Sequence, residues 1–172
     1  MEKVSGRVRK FGDNIDTDNI TPAATLNLPP EELKKHAFEP IFPDFYKSVE
    51  QGNVIVAGHN FGCGSSREQA TDVVRDLGIR YIACESMARI YFRNCIALGL
   101  YPIMAEGVSD MFKEGDRIEI DLEGAEIKNV QTGESVRFKP LTGTTKEILD
   151  GGGILPRLKQ IIEERGKDSQ NQ

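Results

Sequence analysis

The chain has 172 residues, 38% of them hydrophobic and 28% charged, and a formal net charge of −5. That length suits one domain around one core, and the composition is ordinary for a soluble globular chain. The acidic balance argues against nonspecific nucleic-acid binding, and with no tryptophan and few aromatics a base-stacking surface is not expected. No apolar run approaches eighteen residues, so no membrane span is expected. Met1 to Val4 leads straight into an alternating strand, so no leader segment is expected. Cys63, Cys84 and Cys95 cannot all pair and show no C-x-x-C spacing. That points to a reducing, cytoplasmic setting and against a cysteine-ligated metal in this chain.

Val4 to Phe11 alternates apolar residues with Gly, Arg and Lys, and predicts a first strand. Asp13 to Asp18 is a polar turn segment with three aspartates, residues whose side chains bond their own backbone in turns. The spacing is not that of an EF-hand, so these carboxylates give only a weak signal for a metal site and none is expected. Ile20 to Pro30 reads as a loop. Glu31 to His36 then forms a short helix, with Pro29 and Pro30 before and inside its start. Phe38 to Phe45, with Pro40 and Pro43, is an irregular aromatic stretch whose rings are expected to pack. His36 lies on a charged face and reads as a surface residue.

Val54-Ile55-Val56-Ala57 is a short β-branched run and predicts a buried strand. Gly58-His59-Asn60-Phe61-Gly62-Cys63-Gly64-Ser65-Ser66-Arg67 follows it. From Arg67 the pattern turns helical, with Val73, Val74 and Leu77 on one face and Gly78 as the stop. The serines therefore fall where a strand hands over to a helix. A helix start leaves backbone N–H groups unpaired and carries roughly +0.5 of a charge. That geometry binds phosphate or carboxylate, and Gly62 and Gly64 let a ligand approach the backbone. A cation is disfavoured there, so Arg67 suggests a bidentate clamp on a carboxylate. The alternative is a helix cap from Ser65 or Ser66 with Glu68. The stretch is neither a P-loop, lacking Gly-Lys-Ser/Thr, nor a nucleophile elbow. His59 adjoins this loop and stands open as either a functional or a structural residue.

Tyr81 to Cys84 predicts a second buried strand, Met87 to Leu98 a helix closed by Gly99, and Tyr101 to Ala105 a third strand. This strand–helix alternation implies parallel strands. Arg89 and Arg93 lie four apart on one helix face and read as a solvated basic face. Asp116–Asp121, Ala125–Val130 and Ser135–Phe138 alternate between turns and predict an antiparallel meander with one wet face. Thr142 to Leu149 predicts a short helix, Ile154 to Arg165 an amphipathic one, and Lys167 to Gln172 a polar, disordered tail. Residues 1–166 thus form a single domain.

Asn60-Phe61-Gly62-Cys63-Gly64-Ser65-Ser66-Arg67-Glu68-Gln69-Ala70 resembles the key loop of the swivelling domain in the aconitase superfamily. The free-standing form of that domain is the small subunit of isopropylmalate isomerase and of homoaconitase. Two further stretches resemble the same family in the same order: Phe11-Gly12-Asp13-Asn14-Ile15-Asp16-Thr17-Asp18-Asn19-Ile20 with Pro22, and Glu85-Ser86-Met87-Ala88-Arg89-Ile90-Tyr91-Phe92-Arg93-Asn94-Cys95. The resemblance implies an α/β, aconitase-type swivelling β/β/α fold, mixing parallel and antiparallel strands with flanking helices. It implies a hydro-lyase of leucine biosynthesis, inactive alone, acting on a small dicarboxylate with a large subunit that carries a [4Fe–4S] cluster. This chain would bind no cofactor or metal itself.

The resemblance also implies roles. Ser65 would be the base that takes a proton α to a carboxylate. Ser66 and Arg67 would hold substrate. Asp16, Thr17, Asp18, Gly62 and Gly64 would organise the loop, and Thr25, Leu26 and Asn27 would meet the variable γ group. Homoaconitase small subunits tend to carry an arginine in that last segment, whereas Ala24-Thr25-Leu26-Asn27-Leu28 has no cation. Its small apolar and polar lining suits an alkyl group better than a carboxylate. The expected substrate is therefore isopropylmalate, although the segment departs from isopropylmalate enzymes in lacking their usual aromatic. Homocitrate-type or methylated-malate substrates are the alternatives within the enzyme class, and a non-catalytic carboxylate-binding module is the alternative outside it.

Overall fold

The computed structural model describes residues 3–168. Seven strands form one sheet: β1 (Lys3–Lys10), β2 (Val54–Ala57), β3 (Tyr81–Cys84), β4 (Tyr101–Met104), β5 (Arg117–Asp121), β6 (Glu126–Asn129) and β7 (Ser135–Arg137). Their order is β4-β3-β2-β1-β5-β6-β7. β1 is the seam between two kinds of sheet. Its second half pairs parallel with β2, from Val8 opposite Val54 to Lys10 opposite Val56. Its first half pairs antiparallel with β5, from Lys3 opposite Asp121 to Arg7 opposite Arg117. β2, β3 and β4 continue in parallel, and β5, β6 and β7 form the antiparallel meander. This is the mixed sheet expected from the alternation of elements.

The helices are α1 (Thr17–Ile20), α2 (Pro30–Leu33), α3 (Phe45–Ser48), α4 (Gln69–Asp76), α5 (Arg89–Leu98), α6 (Gly143–Asp150) and α7 (Ile154–Asp168). Every residue of β2 is buried. Ile55 and Ala57 join Phe11, Phe38, Phe61 and Tyr91 on one side of the sheet. Val54 and Val56 join Ile103, Ile118 and Ile120 on the other. The period-2 pleat thus feeds two cores from one apolar run. Each fully buried aliphatic side chain there stabilises the fold by roughly 1.5–3 kcal/mol. In β5 and β6 the meander buries alternate residues, Ile118, Ile120 and Ile127 as its pattern predicts, and also Asn129, whose Nδ2 donates to the Met111 carbonyl and to Asp116.

Away from the serine loop and the segment before it, four departures from the sequence reading stand out. Arg9 alternates as a solvent-facing residue but is 5% exposed. Its guanidinium lies over Phe42 and Phe45, donates from Nε to Glu114 and from Nη2 to Ser48, and so ties β1 to α3. The flat, weakly hydrated guanidinium tolerates an aromatic cage that an ammonium would not. Second, α5 begins at Arg89, not Met87. Met87 pairs with Phe61 in a β-bridge, and Ala88 is extended with its N–H on the Phe61 carbonyl. Third, α3 starts on Phe45, the last residue of the stretch that read as irregular, and runs on to Ser48, where no helix was expected. Fourth, α7 continues past Arg165 to Asp168, into the residues expected to open the tail; the remainder of that tail, 169–172, lies outside the described residues.

Candidate functional site

The loop after β2 is stitched to the chain on both flanks. On the β1 side, the Gly58 N–H donates to the Gly12 carbonyl at 3.0 Å, and the Asn14 N–H to the His59 carbonyl at 2.7 Å. The Asp13 carboxylate accepts the His59 N–H at 2.7 Å, and Asn60 donates from Nδ2 to Asn14 Oδ1 at 3.0 Å. Further along, the Gly62 N–H reaches the Ile15 carbonyl at 2.7 Å and the Thr17 N–H the Cys63 carbonyl at 2.9 Å. On the β3 side, Asn60 and Phe61 donate to the hydroxyl and carbonyl of Ser86. The three stretches that carry the family resemblance therefore meet in one place.

Two glycines set the loop's course. Gly62 has φ +74°, and a Cβ there would lie 2.2 Å from Tyr91 Cγ. Gly64 has φ +93°, and a Cβ there would lie 3.4 Å from Thr17 Oγ1. Only a residue without a side chain passes the first point, and both backbone conformations favour glycine.

Ser65 and Ser66 follow, both exposed. Neither hydroxyl, and neither backbone N–H, has a hydrogen-bond partner among the described residues. They do not cap α4. That helix starts at Gln69 with Glu68 in the cap position and no side-chain cap bond. Between them the Arg67 N–H closes on the Ser65 carbonyl at 2.9 Å, a turn that delays the helix. The capping alternative thus fails, and the serines' polar groups stand free beyond the strand end. This differs from the expectation of serines at the helix's first turn, but it leaves the same donors unsatisfied.

Arg67 is mostly buried, its side chain 19% exposed. Nη1 lies 2.5 Å from Asp18 Oδ1 and 3.4 Å from the Thr21 carbonyl. Nε and Nη2 have no acceptor among the described residues. The cation that looked out of place on dipole grounds is balanced by Asp18, a partner not foreseen from spacing. Asp16 caps α1: it accepts the Asn19 N–H at 2.7 Å, and Asn19 Oδ1 accepts the Asp16 N–H at 3.2 Å. This reciprocal box fixes where Thr17 and Asp18 point. Thr17 and Thr21 are buried with hydroxyls that have no partner among the described residues.

Thr25 ends a 3₁₀ turn over Ala23–Thr25, its hydroxyl donating to the Pro22 carbonyl at 2.7 Å. Leu26 is half-buried and Asn27 exposed. Thr21 links this segment to Arg67, but among the described residues no hydrogen bond ties 25–27 to the serines.

Two supporting groups were missed in the sequence. Glu85, at the end of β3, accepts the backbone N–H groups of Gly107 and Ser109, each at 2.8 Å. Partial burial works to raise its carboxyl, but the Ser109 and Gly107 bonds win and hold it below the usual glutamate range. Lys10 is half-buried, and that burial pulls its ammonium below the usual lysine range against the attraction of Asp110, Glu85 and Asp13. His59 is exposed and enters the site through its backbone. His36 is half-buried and pairs with Glu39 at 2.6 Å.

The thiols do not suit a cluster in this chain. Burial pushes Cys84 up to about 12 and Cys95 well above the usual thiol range, and Cys63 stands alone beside the loop. An iron–sulfur cluster needs several thiolates. Among the described residues no group of three or more His, Cys, Asp or Glu is placed to hold a metal ion.

Residues 3–107 match the family described as the aconitase C-terminal domain. The isopropylmalate/citramalate isomerase small subunit of Methanocaldococcus jannaschii is 46% identical over 162 residues, covering 94% of this chain and 96% of that one. The 3-isopropylmalate dehydratase small subunit of Nautilia profundicola is 44% identical over 165 residues, covering 95% and 99%. The crystal structure of a 3-isopropylmalate dehydratase from Methanocaldococcus jannaschii superposes with a TM-score of 0.91 at 42% identity, over 97% of this chain and 99% of that one. The fold, the three converging stretches and these likenesses agree: the chain belongs to the aconitase C-terminal domain family.

Proposed function

We propose that the chain is the small subunit of a heteromeric hydro-lyase that interconverts 2-isopropylmalate and 3-isopropylmalate through isopropylmaleate. The observation that carries this is the exposed Ser65–Ser66 pair, with free hydroxyls and free N–H groups, beside an arginine anchored along only one edge. Such an arrangement is half of an active site. It offers a place for an anion and a proton acceptor, and among the described residues no second acid–base pair completes it. The names of the relatives favour the same substrate class.

In this reading residues 1–166 act as one swivelling domain that closes over substrate held by a large subunit. Arg67 presents Nε and Nη2 to a substrate carboxylate, and Ser66 adds a donor. Ser65, as the alkoxide, takes the proton from the carbon next to a carboxylate. The electron pair of that C–H bond forms the double bond, and the hydroxyl on the neighbouring carbon leaves as water after taking a proton from a general acid that the large subunit must provide. In readdition water gives a proton back to that acid, its hydroxide adds to the other carbon, and Ser65 returns the proton it took, which gives the other isomer. A serine alkoxide needs a strong field in a dry site, which the N–H groups of the loop and Arg67 supply on closure. The large subunit's [4Fe–4S] cluster supplies Lewis acidity to the departing hydroxyl when bound. Asp16, Thr17, Asp18, Gly62 and Gly64 hold the loop.

Thr25, Leu26 and Asn27 line the γ-group side, and their lack of a cation favours an alkyl substituent over a third carboxylate. A second reading keeps the chemistry and widens it to methylated malates. It is favoured because one relative's name joins isopropylmalate with citramalate. The compartment proposed is the cytoplasm, which suits three unpaired thiols; among the described residues no helix is long and apolar enough to cross a membrane. The test is anaerobic mixing of this chain with a purified cluster-bearing large subunit from the same cell, following unsaturated-acid absorbance. Turnover of isopropylmalate only in the mixture supports the proposal. Turnover of homocitrate instead overturns the substrate argument. Carboxylate binding by the isolated chain, with no association and no turnover, favours a non-catalytic binding module.

A further inference from the structure

Next to the serine loop lies a groove that the proposed chemistry does not use. Phe92 of α5 and Met104 at the end of β4 are shared by two adjoining cavities of about 300 and 330 Å³. Met104 is 43% exposed, unusual for a large apolar side chain at a strand end. Met87 lines the first cavity and bridges to Phe61, four positions before Ser65 in the chain. Three cations rim the groove: Arg89 and Arg93 one helical turn apart, and Lys139 at the far end. No carboxylate lines either cavity, and among the described residues none of the three cations has an acidic partner. This apolar floor with a purely cationic rim sits on a chain whose net charge is −5.

The edge of the sheet limits how an occupant can bind. β4 is the outer strand on this side, and Pro102 removes one of its backbone donors. A partner is therefore held by side chains rather than by adding a strand. A second copy meeting this face about a two-fold axis would set like-charged rims against each other. The overall acidity likewise opposes a nucleic acid.

We propose that this groove docks the large subunit. It takes a segment of that chain carrying Asp or Glu around one large apolar side chain. The apolar group sits on Phe92 and Met104, and the carboxylates meet Arg89, Arg93 and Lys139. The inference rests on the reading of the chain as a small subunit, and the Met87–Phe61 bridge ties the groove to the stretch that carries Ser65.

The experiment measures affinity between the full chain and the purified cluster-bearing large subunit by calorimetry at low and moderate salt. The charge reversal Arg89→Glu with Arg93→Glu is expected to weaken binding roughly tenfold or more and to flatten its salt dependence. Met104→Asp is expected to weaken binding as well. Arg117→Glu on β5 is expected to leave it unchanged. Circular dichroism and melting temperature report that each variant folds. Wild-type-like affinity in the folded double variant overturns the groove and leaves the small-subunit reading standing. Absence of binding by the wild-type chain overturns both. A self-dimer lost in the double variant, with large-subunit affinity intact, assigns the groove to a second copy and overturns the proposal.

Discussion

Arg67 Nη1 and Asp18 Oδ1 stand 2.5 Å apart, and they join the serine loop to the segment after β1. Asp18 fixes one edge of the guanidinium and leaves Nε and Nη2 for a ligand. Arg67→Lys removes the planar fork and is expected to lower kcat/KM by roughly 10–100-fold, the loss of one charged hydrogen bond. Asp18→Asn keeps Arg67 but loosens it. The expected effect is several-fold, mainly in KM. Steady-state kinetics of the reconstituted enzyme separates the two, and a larger loss from Asp18→Asn than from Arg67→Lys would contradict this assignment.

Gly62 and Gly64 make different demands. Gly62→Ala meets the Tyr91 ring at 2.2 Å on top of a left-handed backbone and is expected to cost about 3 kcal/mol or more. Gly64→Ala meets Thr17 Oγ1 at an ordinary contact distance and carries only the backbone cost, roughly 1–2 kcal/mol. Urea unfolding of the two variants measures the order. Equal losses would show that Tyr91 yields to the methyl group.

Glu85 links stability to pH. Its folded carboxyl is held below the usual glutamate range, so the unfolded chain binds the proton more readily. The contribution is fully present above the usual glutamate value and is lost as pH falls through the folded value. Glu85→Gln is expected to melt at a lower temperature than the parent at neutral pH. The gap should close as pH falls below the usual glutamate value and through the folded one. A gap that widens on acidification would reverse the sign of this argument.

Much of this architecture was legible because β2 and its neighbours are apolar runs whose lengths and bounding glycines leave few alternatives. The alternation of Ile118, Ile120 and Ile127 likewise announced the meander. What the sequence hid was long-range. Nothing local to Asp18 marks it as the partner of Arg67, forty-nine positions away, nor Glu85 as the acceptor for Gly107 and Ser109. Arg9 read as a polar face because alternation does not report an aromatic cage supplied by Phe42 and Phe45. The serines read as a helix entry because helical periodicity begins at Arg67, whereas the Arg67 N–H turns back to Ser65 and postpones α4 to Gln69.

The cysteines should differ in reactivity. Burial raises Cys84 to about 12 and Cys95 well above the usual thiol range, while Cys63 is half-exposed beside the loop. A thiol reagent at pH 8 is expected to modify Cys63 first, and the other two only as the chain unfolds. Mass spectrometry of the native protein reads this directly. Early labelling of Cys84 would mean that the core under β3 opens in the native state.

The central claim is that Ser65 carries the proton in a site completed by another chain. The direct measurement is single-turnover kinetics of Ser65→Ala and Ser66→Ala, each assembled with the large subunit and saturated with isopropylmalate. Ser65→Ala is expected to lose roughly 10³-fold or more in the chemical step while still assembling, and Ser66→Ala to lose mainly substrate affinity. Equal, modest losses in both would contradict the assignment, leaving the loop as an anion holder and the base elsewhere.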